Sequence, residues 1–216
     1  GAVVVADAKN GQILAMVGSK DYFAEDYDGQ VNVALSLRQP GSALKPFTYV
    51  TAFKAGYTPA YVLMDVPTEF PGGEGLPMYK PVNYDGKYRG PQQVRFALGN
   101  SINIPAVKML ALVGVKNMLR TAYDAGLKTL EPTDENLSRF GLAVTLGGGE
   151  VKLLELTNAY GTLAAEGVHQ ELAPILKVED RSGKVLEEYK EKAGREVLGR
   201  DVTFLISHIL SDNNAR

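Results

Sequence analysis

Ser42 and Lys45 lie three positions apart in Arg38-Gln39-Pro40-Gly41-Ser42-Ala43-Leu44-Lys45-Pro46-Phe47, at the head of a segment that reads as a helix to about Lys54 and stops at Gly56. At about 100° per residue, Ser42, Lys45, Tyr49 and Phe53 fall in one stripe, so the hydroxyl and the amine face the same way. Lys45 is the one formal charge between Ala43 and Phe53, and Leu44, Phe47, Val50 and Ala52 fill most other directions around the axis. A helix that is apolar all round is a buried helix, and burial lowers a lysine pKa by disfavouring the ammonium. A neutral amine one turn from a serine hydroxyl can take its proton, which is how a weak alcohol becomes a nucleophile. Pro40-Gly41 supplies the turn that puts Ser42 in the first helical turn, where unpaired backbone N–H groups and the positive dipole end favour a developing oxyanion. Pro46 is tolerated that close to the helix start. The same residue types also describe a helix cap followed by a lysine whose head reaches water.

A second candidate pair stands in Gly99-Asn100-Ser101-Ile102-Asn103-Ile104-Pro105. Pro91 is expected to start a helix ending near Gly99, and Pro105 suits the first turn of the next helix, which leaves Ser101 and Asn103 on the connection between the two. Taken alone, Ser and Asn in such a loop read as caps.

In this order, the active-serine run and the Gly-Asn-Ser-Ile-Asn frame resemble the transpeptidase domain of the class A penicillin-binding proteins, the bifunctional enzymes that polymerise and cross-link bacterial peptidoglycan. That superfamily is marked by S-x-x-K, S-D-N and K-T-G motifs, and Ile102 stands here at the middle of the second. The resemblance implies an α+β fold of the penicillin-binding protein and serine β-lactamase kind, an antiparallel sheet packed with helices plus a mostly helical subdomain, with residues 1–216 as one domain. It implies Ser42 as nucleophile, Lys45 as the base for acylation, Ser101 as a proton relay to the leaving amine, and Asn103 as a hydrogen-bond partner of the substrate's backbone amide. The implied substrates are peptidoglycan stem peptides ending in D-Ala-D-Ala, the implied inhibitors β-lactams, and no metal or organic cofactor is required. The implied location is the extracytoplasmic face of the bacterial cell membrane, with an anchor and a glycosyltransferase domain upstream. A D,D-carboxypeptidase or β-lactamase, which passes the acyl group to water, and a non-catalytic β-lactam sensor are the alternatives. The Arg-Gln-Pro-Gly-Ser form and the lack of a recognisable deacylation base favour the synthase.

The third motif, Lys-Thr-Gly on a strand bordering the cleft, is missing and is expected shortly after Arg216, together with strands that complete the sheet. Lys128-Thr129-Leu130 lacks the glycine that lets a backbone approach substrate closely, and Arg181-Ser182-Gly183 is a hairpin tip among charges. Without further strands, the N-terminal hairpin leaves open sheet edges.

Several elements must position these residues. Ala2–Ala6 and Gln12–Gly18 read as strands joined at Asn10-Gly11, a strong hairpin signal, and Asp21–Gln30 reads as irregular. Tyr57–Gly90 carries Pro59, Pro67, Pro71, Pro77 and Pro81 with Gly72, Gly73, Gly75 and Gly86, which excludes long helices and marks an extended excursion that roofs or lines a cleft. Helices follow to Leu112 and from Val115 to Asp124, capped by Gly114 and Gly126. Gly147-Gly148-Gly149 precedes a helix from Val151 to about Glu166. Glu150 and the lack of a G-x-x-x-x-G-K-[ST] pattern argue against a phosphate-binding turn there; the Leu-Gly-Gly-x-Glu wording is similar to a segment of the family, which implies that the glycines serve close helix packing. A charged hairpin spans Ala173–Tyr189, and Asp201 is expected to cap a last helix, Val202–Leu210, ahead of a polar loop.

Composition narrows the classes. The 216 residues are 45% hydrophobic and 22% charged with a formal net charge of −2, an ordinary globular balance with no electrostatic case for nucleic acid. Cys is absent, which excludes disulfides and thiolate sites and fits an extracytoplasmic bacterial protein. His169 and His208 lie far apart with no carboxylate-rich motif around them, so neither a zinc site nor a histidine-based triad is expected and each histidine is placed at a surface or interface. No apolar run approaches the roughly 20 residues needed to span a bilayer, and Gly1 does not open a signal peptide.

Overall fold

In a computed structural model the described residues are 1–72 and 77–216, so Gly73 and Gly75 of the excursion lie outside them. The helical body is built on α1 (Lys45–Lys54), in which every residue from Lys45 to Phe53 is buried. Around it pack α2 (Val94–Gly99), α3 (Asn103–Val113), α4 (Val115–Ala125) and, later in the chain, α7 (Arg200–Ser211). Two further helices, α5 (Asp134–Arg139) and α6 (Leu153–Ala164), complete the helical set among the described residues. Leu44, Phe47 and Val50 of the α1 region meet Met109 and Leu110 of α3 and Met118 and Leu119 of α4 in one apolar cluster. The apolar-all-round pattern of α1 is thus the signature of the element that the others cover.

α1 starts later than its sequence suggests. Residues Gly41–Leu44 form a 3-10 turn and the α-helix begins at Lys45. Pro46 explains the switch: it has no N–H to give the Ser42 carbonyl, and its ring collides with that carbonyl in a regular α-helix. The far end is as expected, with Gly56 at φ +90° after the last turn.

Strands pair only in twos among the described residues. β1 (Val3–Ala6) and β2 (Ile13–Val17) form the expected hairpin, Val3 opposite Val17. β3 (Val62–Asp65) pairs antiparallel with β4 (Gly90–Gln93), Asp65 opposite Gly90. This corrects the helix expected from Pro91: Gly90–Gln93 is a strand, and the helix begins only at Val94. Proline is admissible in β4 because β3 is its one partner, so no ladder on the other side needs its N–H. The short β5 (Val168–His169) pairs with β8 (Arg195–Glu196), and β6 (Lys177–Glu179) with β7 (Val185–Glu188) in the charged hairpin. Asp180 Oδ1 accepts from the Ser182 and Lys184 N–H groups at 2.8 and 3.1 Å, which confirms a turn at Arg181-Ser182-Gly183.

Two terminal expectations need correction. Gly199, not Asp201, sits at the N-cap of α7, and Asp201 lies in the first helical turn. The last residues are a 3-10 turn, Asn213–Ala215, capped by Asp212 and docked so closely that Ala215 is fully buried. His169 is buried rather than at a surface, with Nδ1 3.1 Å from Thr162 Oγ1; His208 is exposed, as expected.

Candidate active site

The Gly41–Leu44 turn alters the geometry that helical counting suggests but not its consequence. In a 3-10 turn side chains at i and i+3 eclipse, so Ser42 and Lys45 project from the same side. Ser42 is exposed while Lys45 is 1% exposed: the serine stands at the surface and the lysine is buried. As the second residue of its turn, Ser42 has an N–H without a partner inside that turn.

The turn is braced from three directions. Tyr160 of α6 donates its hydroxyl hydrogen to the Ala43 carbonyl at 2.9 Å. Thr48 and Thr145 share a buried hydrogen bond of 2.8 Å between α1 and the 3-10 turn Leu142–Leu146. Arg38 and Val151 exchange two backbone hydrogen bonds of 3.0 Å, tying the approach to Ser42 to the approach to α6. The glycine expectation holds at Gly147, where a Cβ would lie 2.3 Å from the Gly41 nitrogen. The Leu142–Leu146 turn also lines, with Pro71 and Tyr79, a cleft of about 410 Å³, so the excursion borders a cleft as expected.

Lys45 gathers the second pair. Its Nζ donates to the Ser101 carbonyl, lies 3.0 Å from Ser101 Oγ, and donates to Asn103 Oδ1 at 2.7 Å. Burial, the one cause at work, lowers its pKa to about 8. The carbonyl of Ser101 and Oδ1 of Asn103 can only accept. A neutral amine, with two hydrogens, therefore spends both on them and turns its lone pair to the Ser101 hydroxyl. No hydrogen bond joins Ser42 Oγ to Lys45 Nζ in the free chain.

Ser101 occupies the α2–α3 connection at φ +54°, a left-handed conformation uncommon for a residue with a side chain. Such backbone strain costs on the order of 1–3 kcal/mol and collects at functional sites. Asn103 is not on that connection, as the sequence suggested, but is the first residue of α3. Its Nδ2 donates to the Val82 carbonyl at 2.8 Å, which leaves Oδ1 facing the amine. Tyr49, in the predicted stripe, is fully buried and its phenol is pushed well above the ordinary value by burial. It has no hydrogen-bond partner among the described residues, so it is not wired to the cluster. No group of metal-ligating side chains occurs among the described residues.

Sequence reasoning missed Asn83 and Asp65. Asn83 Oδ1 accepts from the backbone N–H groups of Asn103 and Ile104 at 3.0 and 3.3 Å, capping α3 from across the fold, and Asn83 Nδ2 donates to Asp65 Oδ1 at 2.8 Å.

The family described as penicillin binding protein transpeptidase domain matches residues 1–211 of this chain. The chain belongs to that family. Penicillin-binding protein 1A of Rickettsia bellii is 34% identical over 186 residues, which cover 86% of this chain and 22% of the relative. The Neisseria meningitidis protein of the same name is 33% identical over the same shares. This transpeptidase domain chain thus spans about a fifth of the length of the curated relatives it matches. Among solved structures, penicillin-binding protein 1A from Haemophilus influenzae superposes with a TM-score of 0.84 at 27% identity, over 99% of this chain and 34% of that one. PonA1 of Mycobacterium tuberculosis in complex with penicillin V gives 0.82 at 22% identity, over 96% and 54%, a likeness of fold. The transpeptidase domain is α+β, helices packed with antiparallel strand pairs.

Proposed function

We propose that the chain is one transpeptidase domain over residues 1–216, a serine D,D-transpeptidase that cross-links peptidoglycan stem peptides ending in D-Ala-D-Ala and is acylated by β-lactams. The observation that carries the reading is the Lys45 amine: buried, brought to a pKa of about 8, and joined to Ser101 and Asn103 on the side from which Ser42 projects.

The neutral amine of Lys45 takes the Ser42 proton while Oγ attacks the carbonyl carbon of the penultimate D-Ala. For this the lone pair swings from Ser101 Oγ to the eclipsed Ser42 Oγ; catalytic hydrogen bonds in free enzymes are commonly loose and tighten on binding. The Ser42 N–H, unpaired within its turn, donates to the carbonyl oxygen as charge develops there. The C–N bond to the terminal D-Ala breaks, and Ser101 passes the proton from the Lys45 ammonium to the departing amine. Asn103 Nδ2 holds the substrate's backbone amide carbonyl, and an amine from a neighbouring strand then attacks the acyl carbon, its proton passing through Lys45 to Ser42 Oγ as the ester C–O bond breaks. We place this chemistry on the extracytoplasmic face of the bacterial cell membrane, where stem peptides lie, with a glycosyltransferase domain in the same polypeptide. No described helix is long and apolar enough to cross a membrane.

Fluorescent penicillin tests the reading. The wild type is expected to take one label that survives denaturation and maps to Ser42, and Ser42→Ala to take none. A label that persists in folded Ser42→Ala protein overturns the assignment.

A further inference from the structure

Asn103 and Lys45 belong to a longer chain of hydrogen bonds that starts in the proline-rich excursion. Asp65, the last residue of β3, has no exposed side-chain surface; one oxygen accepts from the Arg89 N–H at 2.9 Å and the other from Asn83 Nδ2 at 2.8 Å. Asn83 is also buried, and the same Nδ2 donates to the Lys87 carbonyl at 2.7 Å. With both donors spent on acceptors, the Asn83 carbonyl oxygen must face the Asn103 and Ile104 N–H groups. Ile102, at the N-cap of α3, has a side chain that cannot accept. The preceding residue of the excursion, Val82, takes the Asn103 side-chain N–H through its carbonyl. Adjacent residues of the excursion thus hold both the backbone and the side chain of Asn103. On the other side, Lys108 of α3 donates to the Met64 carbonyl at 2.7 Å, pinning β3 to the same helix.

We infer that Asn83 and Asp65 are positioning residues for the acylation centre: Asp65 fixes which way the Asn83 amide points, Asn83 fixes the first residue of α3, and Asn103 so held presents Oδ1 to the Lys45 amine. The inference rests on the transpeptidase reading and assigns the excursion a task in it. A buried, desolvated acceptor set permits few alternative arrangements, since each misdirected amide leaves a donor facing a donor or an acceptor facing an acceptor. Loosening Asn83 frees Asn103 to rotate, and the amine loses the acceptor that orients it.

The test uses the full-length polypeptide and the rate at which a fluorescent penicillin labels Ser42. Asn83→Ala is expected to slow labelling roughly ten- to hundredfold, the scale on which an ångström of misplacement acts at a reacting group. In an Asn103→Ala background the same change is expected to add almost nothing, because its route to the centre is gone; a merely structural loss slows both backgrounds alike. Asn83→Ala also leaves two helix N–H groups and the buried Asp65 Oδ1 without the partner they have in the wild type, so a second pair of variants guards against failure to fold. Asn83→Asp alone sets two carboxylates about 2.8 Å apart. Combined with Asp65→Asn, the new aspartate accepts from both helix N–H groups and from the new asparagine, whose carbonyl accepts from Arg89; the bond to the Lys87 carbonyl is lost in both variants, so their difference reports the pair at 65 and 83. The double exchange is expected to label faster than Asn83→Asp alone. Wild-type labelling rates in folded Asn83→Ala protein, equal slowing with and without Asn103, or a double exchange no faster than Asn83→Asp each overturn the positioning role while leaving the reading of Ser42 intact. A wild type that takes no label at Ser42 overturns the reading and the inference together.

Discussion

Lys45 carries the proposed chemistry at the scale of single residues. It is almost fully buried, and burial alone accounts for a pKa near 8 in place of 10.5. A base works in its unprotonated form, so the pseudo-first-order rate of penicillin labelling is expected to rise about tenfold per pH unit below about 8 and to level off above it. A rate that is flat from about pH 6 to 9 removes Lys45 as the base. Lys45→Met, close in length and without a titrating group, is expected to lower the rate by at least about a hundredfold on the plateau above about pH 8, within the range that general-base catalysis supplies, and to remove the pH dependence, so that the gap to the wild type narrows as pH falls. Its folded state is checked by circular dichroism. Lys45, Ser101 and Asn103, which the structure joins, and Ser42, three positions before Lys45, stand out in the sequence because two of them share a turn and the other two a short frame, in the order of the family's motifs. Asn83 and Asp65 do not. Asn83-Tyr84-Asp85-Gly86 reads locally as a turn, and an amide that caps a helix twenty positions onward leaves no spacing by which to find it.

Elements show where local preference and tertiary demand diverge. The 3-10 turn at Ser42, the strand at Pro91 and the late start of α2 all turn on prolines whose effect depends on what lies beside them. Pro46 meets the Ser42 carbonyl and tightens the turn, whereas Pro91 lies in a strand with one neighbour and disturbs nothing. The glycine run announces close packing but not its partner, which at Gly147 is the turn that bears Ser42. Gly147 has φ +93°, and an added Cβ would meet Gly41 backbone atoms at 2.3 and 2.5 Å. Backbone cannot step aside as a flexible side chain can, so Gly147→Ala must displace the Gly41–Leu44 turn, with a strain penalty of about 1–3 kcal/mol. The expected outcome is a folded protein with a modestly lower melting temperature and penicillin labelling slowed by more than about tenfold, as misplacement of a nucleophile produces. Gly141→Ala is the control: its φ is −86° and nothing lies within 4 Å of an added Cβ. Equal labelling rates in the two variants would show that Gly147 does not hold the turn of Ser42.

The whole molecule is a helical body with strand pairs at its margins, and its legibility follows that division. α1 and the helices around it came through because an all-apolar helix with one lysine is a strong local pattern. The open sheet edges expected without further strands are present: among the described residues β1 and β2 pair with each other, and Val3, Val5, Leu14, Met16 and Val17 remain exposed. Sheet partners separated by most of a chain have no periodic signal to announce them. His169 marks another such long-range meeting. It lies in β5 against Thr162 of α6 and beside Gly126 after α4, where burial foremost, then the charges of Lys128 and Arg195, lower its pKa below 6.5 against the opposing pull of Ala125 and Glu171. The folded state therefore binds fewer protons at this site than the unfolded chain. The site takes nothing from stability above pH 6.5, and its penalty grows as pH falls from there to the lowered folded value before levelling off. Urea unfolding at pH 7.5, 6.5 and 5.5 is expected to show the wild type losing more stability across this range than His169→Gln, which is neutral throughout and keeps an amide to face Thr162. Parallel losses in the two proteins would mean that the acid sensitivity of the fold arises elsewhere and that His169 accepts its proton in place.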